Sequence, residues 1–141
     1  MSELSADLTT WCQSYVSAFM DYNAGSIAAH WTFPALTTQA GRSFVFKSHE
    51  HFANNTTRLL DFYREQGVAR VERTLIEFHL LHRDAASMIV ADIMKSKVGD
   101  EIASWQAAYV LQRVNGDWKA VMAVADGETE AWAARGTSLG G

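Results

Sequence analysis

A chain of 141 residues suits one domain able to bury roughly 68 to 70% of its unfolded surface, so no staple of metal or disulfide is required. With 12 Lys and Arg against 16 Asp and Glu, a net charge of -4 and no basic run, the composition excludes a surface built to grip nucleic-acid phosphates. A lone cysteine, Cys12, excludes a disulfide framework, no stretch approaches the roughly 20 apolar residues of a membrane helix, and Met1 to Asp7 lacks the basic-then-apolar pattern of a leader, so a cytoplasmic protein with no membrane or nucleic-acid partner is expected.

Leu8, Trp11, Tyr15, Phe19 and Tyr22 recur at steps of three and four and predict a helix over about 5–22 with one aromatic stripe. That stripe suits a cover for a sheet; Tyr15 or Tyr22 could also present a hydroxyl to a cavity, although such stripes usually do no more than bury their area. Asn23 to Gly25 ends the helix, and Ser26 is a candidate cap for a short second one, Ile27 to Trp31. Pro34 restricts Phe33 to extended backbone, so Phe33 to Thr38 reads as an edge strand or an extended loop. Ala40-Gly41 turns the chain into a second short strand, Ser43 to Lys47. Ser48 can cap a third helix, His49 to Gln66, stopped by Gly67.

From Val68 to Asp126 four strand-like runs are joined by short turns. Asn115-Gly116 is the strongest of these, because both central residues tolerate positive φ. A two-residue turn there pairs Arg113 with Trp118, Leu111 with Ala120, Tyr109 with Met122 and Trp105 with Asp126. A turn at Gly99-Asp100 pairs Met94 with Trp105, Asp92 with Ala107 and Val90 with Tyr109. A turn near Asp84-Ala85 pairs His79 with Val90 and Glu77 with Asp92. On this register one face carries Met88, Val90, Met94, Trp105, Tyr109, Leu111, Trp118 and Met122 together with Glu77, His79, Asp92 and Asp126. A slip of one residue would turn Glu77 and His79 to the other side. The opposite face, with Ile76, Phe78, Ile89, Ile93, Val110 and Val121, is also apolar and needs a cover of its own. A second copy of the chain is the simplest one, so a homodimer through this outer face is expected. After Asp126 a helical turn over Glu128 to Ala134 holds Trp132, and Gly136 to Gly141 reads as a flexible tail.

The order helix, short helix, two short strands, helix and four-strand meander resembles the NTF2-like superfamily, also called SnoaL-like or ketosteroid-isomerase-like, over about residues 5–127. The resemblance rests on that order, on the Asp21 to Trp31 junction, on the Phe33-Pro34 strand start and on the closing hairpin Arg113-Val114-Asn115-Gly116-Asp117-Trp118-Lys119. It implies an α+β fold, a cone in which a curved antiparallel sheet wraps around three helices, often dimeric through the outer sheet face. It leaves function open, because the superfamily's pockets serve isomerases, dehydratases, cyclases, epoxide hydrolases and binding domains alike. Many relatives carry histidines on the final strand where this chain has Met122 and Val124, which removes one familiar catalytic pattern.

The candidate catalytic residues are Asp92, His79 and Glu77: two carboxylates in an apolar setting push one pKa up, and a carboxylate-oriented histidine suits proton abstraction beside a carbonyl. The ordinary reading of the same residues is a set of ion pairs with Arg73 or Lys95 at the rim. Ligand contacts are expected from Trp105, Tyr109, Met122, Met94, Val90, Asp126 and Tyr15, although Asp126, near a strand end, reads more simply as a turn or cap for the following Gly127. No metal site is read from His30, His49, His51, His79 and His82, and no cofactor is implied. Two functions stay open: a protein binding a small apolar or aromatic molecule, with acid/base proton transfer of the isomerase, dehydratase or cyclase type, or a non-catalytic binding or dimerisation module with a filled cone.

Overall fold

The computed structural model describes residues 2–137. Its elements are α1 (Ser2–Met20), α2 (Ala24–Ala28), β1 (Trp31–Gln39), β2 (Arg42–Phe46), α3 (His49–Glu65), β3 (Arg70–His82), β4 (Ala85–Lys95), β5 (Glu101–Val114), β6 (Asp117–Val124) and α4 (Asp126–Ala134). The strands form one curved six-stranded sheet in the order β2-β1-β6-β5-β4-β3, antiparallel except where β1 runs parallel to β6. The helices cover its concave face, with Leu8, Trp11, Cys12 and Tyr15 of α1 buried against Met88, Val90, Leu111 and Ala120 of the sheet.

Local chemistry sets the boundaries. Asn23, not Ser26, caps α2: its side chain accepts from the Ser26 amide at 3.0 Å, and Ser48 caps α3 by accepting from the His51 amide at 3.1 Å. Gly67, at φ 81°, ends the third helix in the left-handed region. The flexible tail expected from Gly136 lies largely outside the described residues; Gly136 and Thr137 themselves close α4 with amides bonded to Ala133 and Trp132 carbonyls.

The Pro34 strand is not an edge. β1 lies between β2 and β6, and Pro34 sits in the break in pairing with β6 between Trp31 and Leu36, before pairing with β2 begins at Ala35. A residue without an N–H fits only such a gap.

The three hairpins form, but bulges change what they point inward. In β5/β6 the register starts as expected, Arg113 with Trp118 and Leu111 with Ala120, then Val121 is left unpaired and Val110 faces Met122 while Tyr109 faces Ala123. Met122 and Val124 therefore turn to the outer face and Ala123 turns in. In β4/β5 the loop runs over 96–100 with an irregularity around Ile102, so Asp92 faces Trp105 and Met88 faces Tyr109. The pairing is two residues from the expected one and keeps the same side inward. In β3/β4 Ile76 and Leu81 are the extra residues. Between them the strand is inverted: Glu77 faces Ile89 and His79 faces Ser87, while Phe78 packs inward against Met88 and the core.

The Val121 bulge puts Ala123 inside and Met122 outside, and the Ile76 bulge puts Phe78 inside and Glu77 and His79 outside. Burial of the Phe78 ring offsets an interrupted ladder, whereas burying Glu77 and His79 would cost free energy.

The last helix docks closely. Gly127 lies against β5, where an added Cβ would stand 2.5 Å from the Gln106 carbonyl oxygen. That approach lets α4 bury Trp132 completely among Tyr63, Val68, Val71, Met94 and Trp105.

Candidate functional site

Between the helices and the concave sheet face lies a cavity of about 870 Å³. Its walls include Tyr15 and Phe19 of α1, Trp31 of β1, Phe52, Phe62 and Tyr63 of α3, and Met94, Trp105, Ala107, Tyr109 and Ala123 of the sheet. The alanines matter because they leave room. Had Met122 faced in, as the unbulged register requires, its side chain would occupy space that Ala123 leaves open.

The polar centre is a buried ion pair. Arg73, on the edge strand β3, stands opposite Asp92 of β4. Arg73 Nε donates to Asp92 Oδ1 at 2.7 Å and Nη2 donates to Oδ2 at 2.8 Å, with both side chains almost sealed from solvent. A bidentate, charge-assisted pair of this kind satisfies both carboxylate oxygens at once. Nη2 also donates to the Tyr109 hydroxyl at 2.9 Å. The guanidinium lies beside two rings, its Cζ 5.2 Å from the Tyr15 centroid and 5.0 Å from that of Tyr109, where cation–π attraction favours it. Burial pushes the Arg73 pKa down, but Tyr109 and Asp92 outweigh it and hold it well above the usual value. Arg73 Nη1 is buried without a hydrogen-bond partner among the described residues.

Two phenols complete this pole. Tyr109 accepts from Arg73, and Tyr15 accepts from Trp31 Nε1 at 3.0 Å. With their oxygens serving as acceptors, both keep an O–H to donate, and neither hydroxyl has a protein acceptor among the described residues. Burial raises both pKa values, that of Tyr15 well above the ordinary range, so both stay protonated donors at neutral pH.

A second carboxyl borders the cavity from α4. Glu128 Oε2 accepts from the Tyr63 hydroxyl and from Trp132 Nε1, the latter at 3.2 Å. Burial raises its pKa from 4.5 to about 7; the bonds from Tyr63 and Trp132 oppose the rise, and the charge of Asp92 adds to it.

The expected site residues are thus divided. Asp92, Trp105, Tyr109, Met94 and Tyr15 line the cavity. Val90 is inward but fully buried in the core and forms none of the wall. Glu77 and His79 leave the site altogether: they form an exposed pair 3.2 Å apart on the outer face, turned there by the Ile76 bulge. Met122 is outward for the equivalent reason at Val121. Asp126 does not face Trp105; it begins α4, which has no side-chain cap, and its Oδ2 accepts from the Ala40 amide at 3.1 Å, tying the helix to the turn between β1 and β2.

Glu128 and Tyr63 were missed. The only hint in the sequence is that Glu128 and Trp132 are four apart on a helix, and nothing in it says that this helix closes the cone. Among the described residues no group of three or more His, Cys, Asp or Glu is placed to hold a metal ion, and no helix is long and apolar enough to cross a membrane.

A single open sheet curled over helices, with a ring-lined cavity and a buried charge pair at its centre, defines an α+β cone of the cystatin-like kind. The chain belongs to the family described as NTF2-like protein (DUF6841), whose model matches residues 5–128. Solved structures share the fold. An NTF-2 like protein of unknown function from Shewanella oneidensis is 10% identical, with 85% of this chain and 96% of that chain covered at a TM-score of 0.68. A ketosteroid isomerase-like protein from Erwinia carotovora atroseptica is 17% identical over 84% and 92% of the two chains, TM-score 0.64. Aln2 from Streptomyces sp. is 15% identical over 88% and 90%, TM-score 0.67. No curated protein matches the sequence. At these identities the likeness shows the fold alone.

Two outcomes test this site. Asp92→Asn leaves Arg73 as a buried charge with a weakened partner and is expected to cost about 3–5 kcal/mol in urea unfolding, while Arg73→Met with Asp92→Leu returns most of the loss. The Glu128 carboxyl, raised from 4.5 to about 7 on folding, favours the folded state when protonated. Its contribution is present below about pH 4.5 and lost as pH rises through about 7, on the order of 2 kcal/mol once partial exposure is allowed for. Glu128→Gln should remove that part of the decline in a stability–pH profile.

Proposed function

We propose that this protein binds a small, flat, largely apolar molecule in the cone, with a hydrogen-bond acceptor on the ligand set against the Tyr109 and Tyr15 hydroxyls. The observation that carries the reading is the cavity of about 870 Å³: its volume, aromatic walls and few buried polar groups are those of a ligand pocket. A filled, purely structural cone has no support in that geometry.

Proton transfer is the finer possibility raised by the sequence, with Asp92, His79 and Glu77 in the active roles. Two of the three lie on the outer face, and both oxygens of Asp92 are engaged by Arg73. This arrangement favours Asp92 as the group that holds Arg73, and through it Tyr109, in place. Binding without chemistry at Asp92 is therefore the better supported reading. The names of the solved neighbours, a ketosteroid isomerase-like protein and a putative aromatic ring hydroxylase from Novosphingobium aromaticivorans, fit a ring-shaped ligand in this type of cone.

The outer sheet face is proposed as the contact between two copies. Ile76 and Val124 are exposed there, and Ile89, Ala108, Val110 and Met122 line a shallow groove of about 230 Å³ with Glu77 and His79 at its rim. An apolar strip bordered by one acid and one base can complement itself about a two-fold axis.

Screening thermal stabilisation against steroids, polyketide-like aromatics and terpenoids should find a ligand that adds about 2.7 kcal/mol at 100 times its dissociation constant. Ala107→Phe, which places a ring in the cavity, should abolish that shift; stabilisation that persists in the filled variant would sink the reading. Val110→Arg should convert a dimer into a folded monomer in sedimentation equilibrium, and an unaltered chain that sediments as a monomer removes the dimer proposal.

A further inference from the structure

Glu128 is a half-buried ionisable group on the cavity wall with no ion-pair partner among the described residues. Asp92 is fully matched by Arg73. The remaining charged residues on the cavity wall, Arg58, Asp61 and Glu65, are exposed on α3 at the opening, where Asp61 has Arg64 3.4 Å away. Glu128 sits deeper, and both of its protein hydrogen bonds fall on one oxygen. Tyr63 and Trp132 donate to Oε2, whereas Oε1 has no partner among the described residues and is not among the atoms sealed from contact. Phe62 and Tyr63 of α3 and Trp105 of β5 share the cavity wall with Glu128, and Trp132 of α4 backs them, its centroid 5.1 Å from that of Phe62 and 5.8 Å from that of Trp105.

A half-buried carboxyl with one free oxygen, framed by aromatic faces, is the environment in which an organic ammonium gains most. The carboxylate supplies the ion pair and charge-assisted hydrogen bonds, and the rings supply cation–π attraction in a partly dry site. An anionic ligand would meet the same carboxylate as a like charge.

Resting on the proposed binding of a small molecule in the cone, we infer that the ligand carries a protonated amine, which pairs with Glu128 Oε1 against the Phe62, Tyr63 and Trp105 rings. The groups that face Glu128 are Tyr63 from α3, Trp132 from its own helix, and the Arg73, Asp92 and Tyr109 cluster from the sheet. None of them supplies a free cation. An arriving ammonium stabilises the ionised carboxylate and so expels the proton that burial retains on part of the population near neutral pH.

The test uses three molecules with one 4-hydroxyphenyl body: tyramine, tyrosol and 3-(4-hydroxyphenyl)propionate. Calorimetry on the full chain at pH 7.5 should show tyramine binding about tenfold more tightly than tyrosol, with the propionate weakest. The same titration in buffers of different ionisation heat should show proton release with tyramine and none with tyrosol. Glu128→Gln should bring tyramine down to tyrosol. Should that variant not fold, the proton-release measurement on the unaltered protein decides alone. Equal binding of tyramine and tyrosol, a preference for the propionate, or an amine preference that survives Glu128→Gln overturns the amine assignment and leaves the binding cavity standing. If none of the three binds at millimolar concentration and Ala107→Phe changes no response in the wider ligand screen, the cavity reading falls as well.

Discussion

An ionised carboxylate in the middle of an apolar sheet face requires a cation, and the contact between Asp92 and Arg73 meets that requirement in its most complete form. Two hydrogen bonds of 2.7 and 2.8 Å occupy both oxygens. The guanidinium's third bond reaches Tyr109, and its Cζ lies 5.2 Å and 5.0 Å from the ring centroids of Tyr15 and Tyr109. One pair thereby ties the edge strand to its neighbours and the sheet to the first helix. A buried pair need not add net stability over apolar groups of the same shape, but it is intolerant of losing one member. Its clearest structural consequence is orientation: Tyr109 is held with its oxygen occupied as an acceptor and its proton free.

Open space in the cone arises from a second constraint, the bulges. Val121 in β6 turns Met122 outward and Ala123 inward, and Ile76 in β3 turns Glu77 and His79 outward and Phe78 inward. The second favours burial of an apolar ring over an unbroken ladder, and both re-aim side chains beside the cavity, a common place for bulges. The first leaves volume in the cone. The second removes from it the charges that would have made a carboxylate cluster, so that the interior near Asp92 is electrically balanced by a single partner.

The cavity consequently has two unlike ends. At one, neutral phenols backed by a guanidinium and an indole offer protons to an acceptor. At the other, Glu128 offers a carboxyl whose affinity for its proton has been raised by burial to about 7. The fold shared with neighbours named for different activities explains neither end. Side chains on a common cone make the difference, and here they include a residue on a short final helix that docks only because Gly127 permits close approach to β5.

Periodicity and turn chemistry in the sequence were sufficient for the elements and their order, while the cone itself was implied by the family resemblance. The aromatic stripe of α1, the Ser48 cap, the stop at Gly67 and the Asn115-Gly116 turn each act through residues close in the chain, and their physics is local. The inward placement of Asp92 was legible too, because a displacement of two residues preserves the side on which a side chain falls. Arg73 was nameable as a partner for it, but only among several cations. What tertiary structure alone decided was the parity inside the strands and the company of Glu128. A bulge re-aims side chains according to what packs against the sheet from distant helices, and the pKa of Glu128 is raised by burial among elements far apart in the sequence. Neither competition has a signature in neighbouring residues, so Glu77, His79 and Met122 left the site and Glu128 entered it for reasons that exist only once the chain is folded.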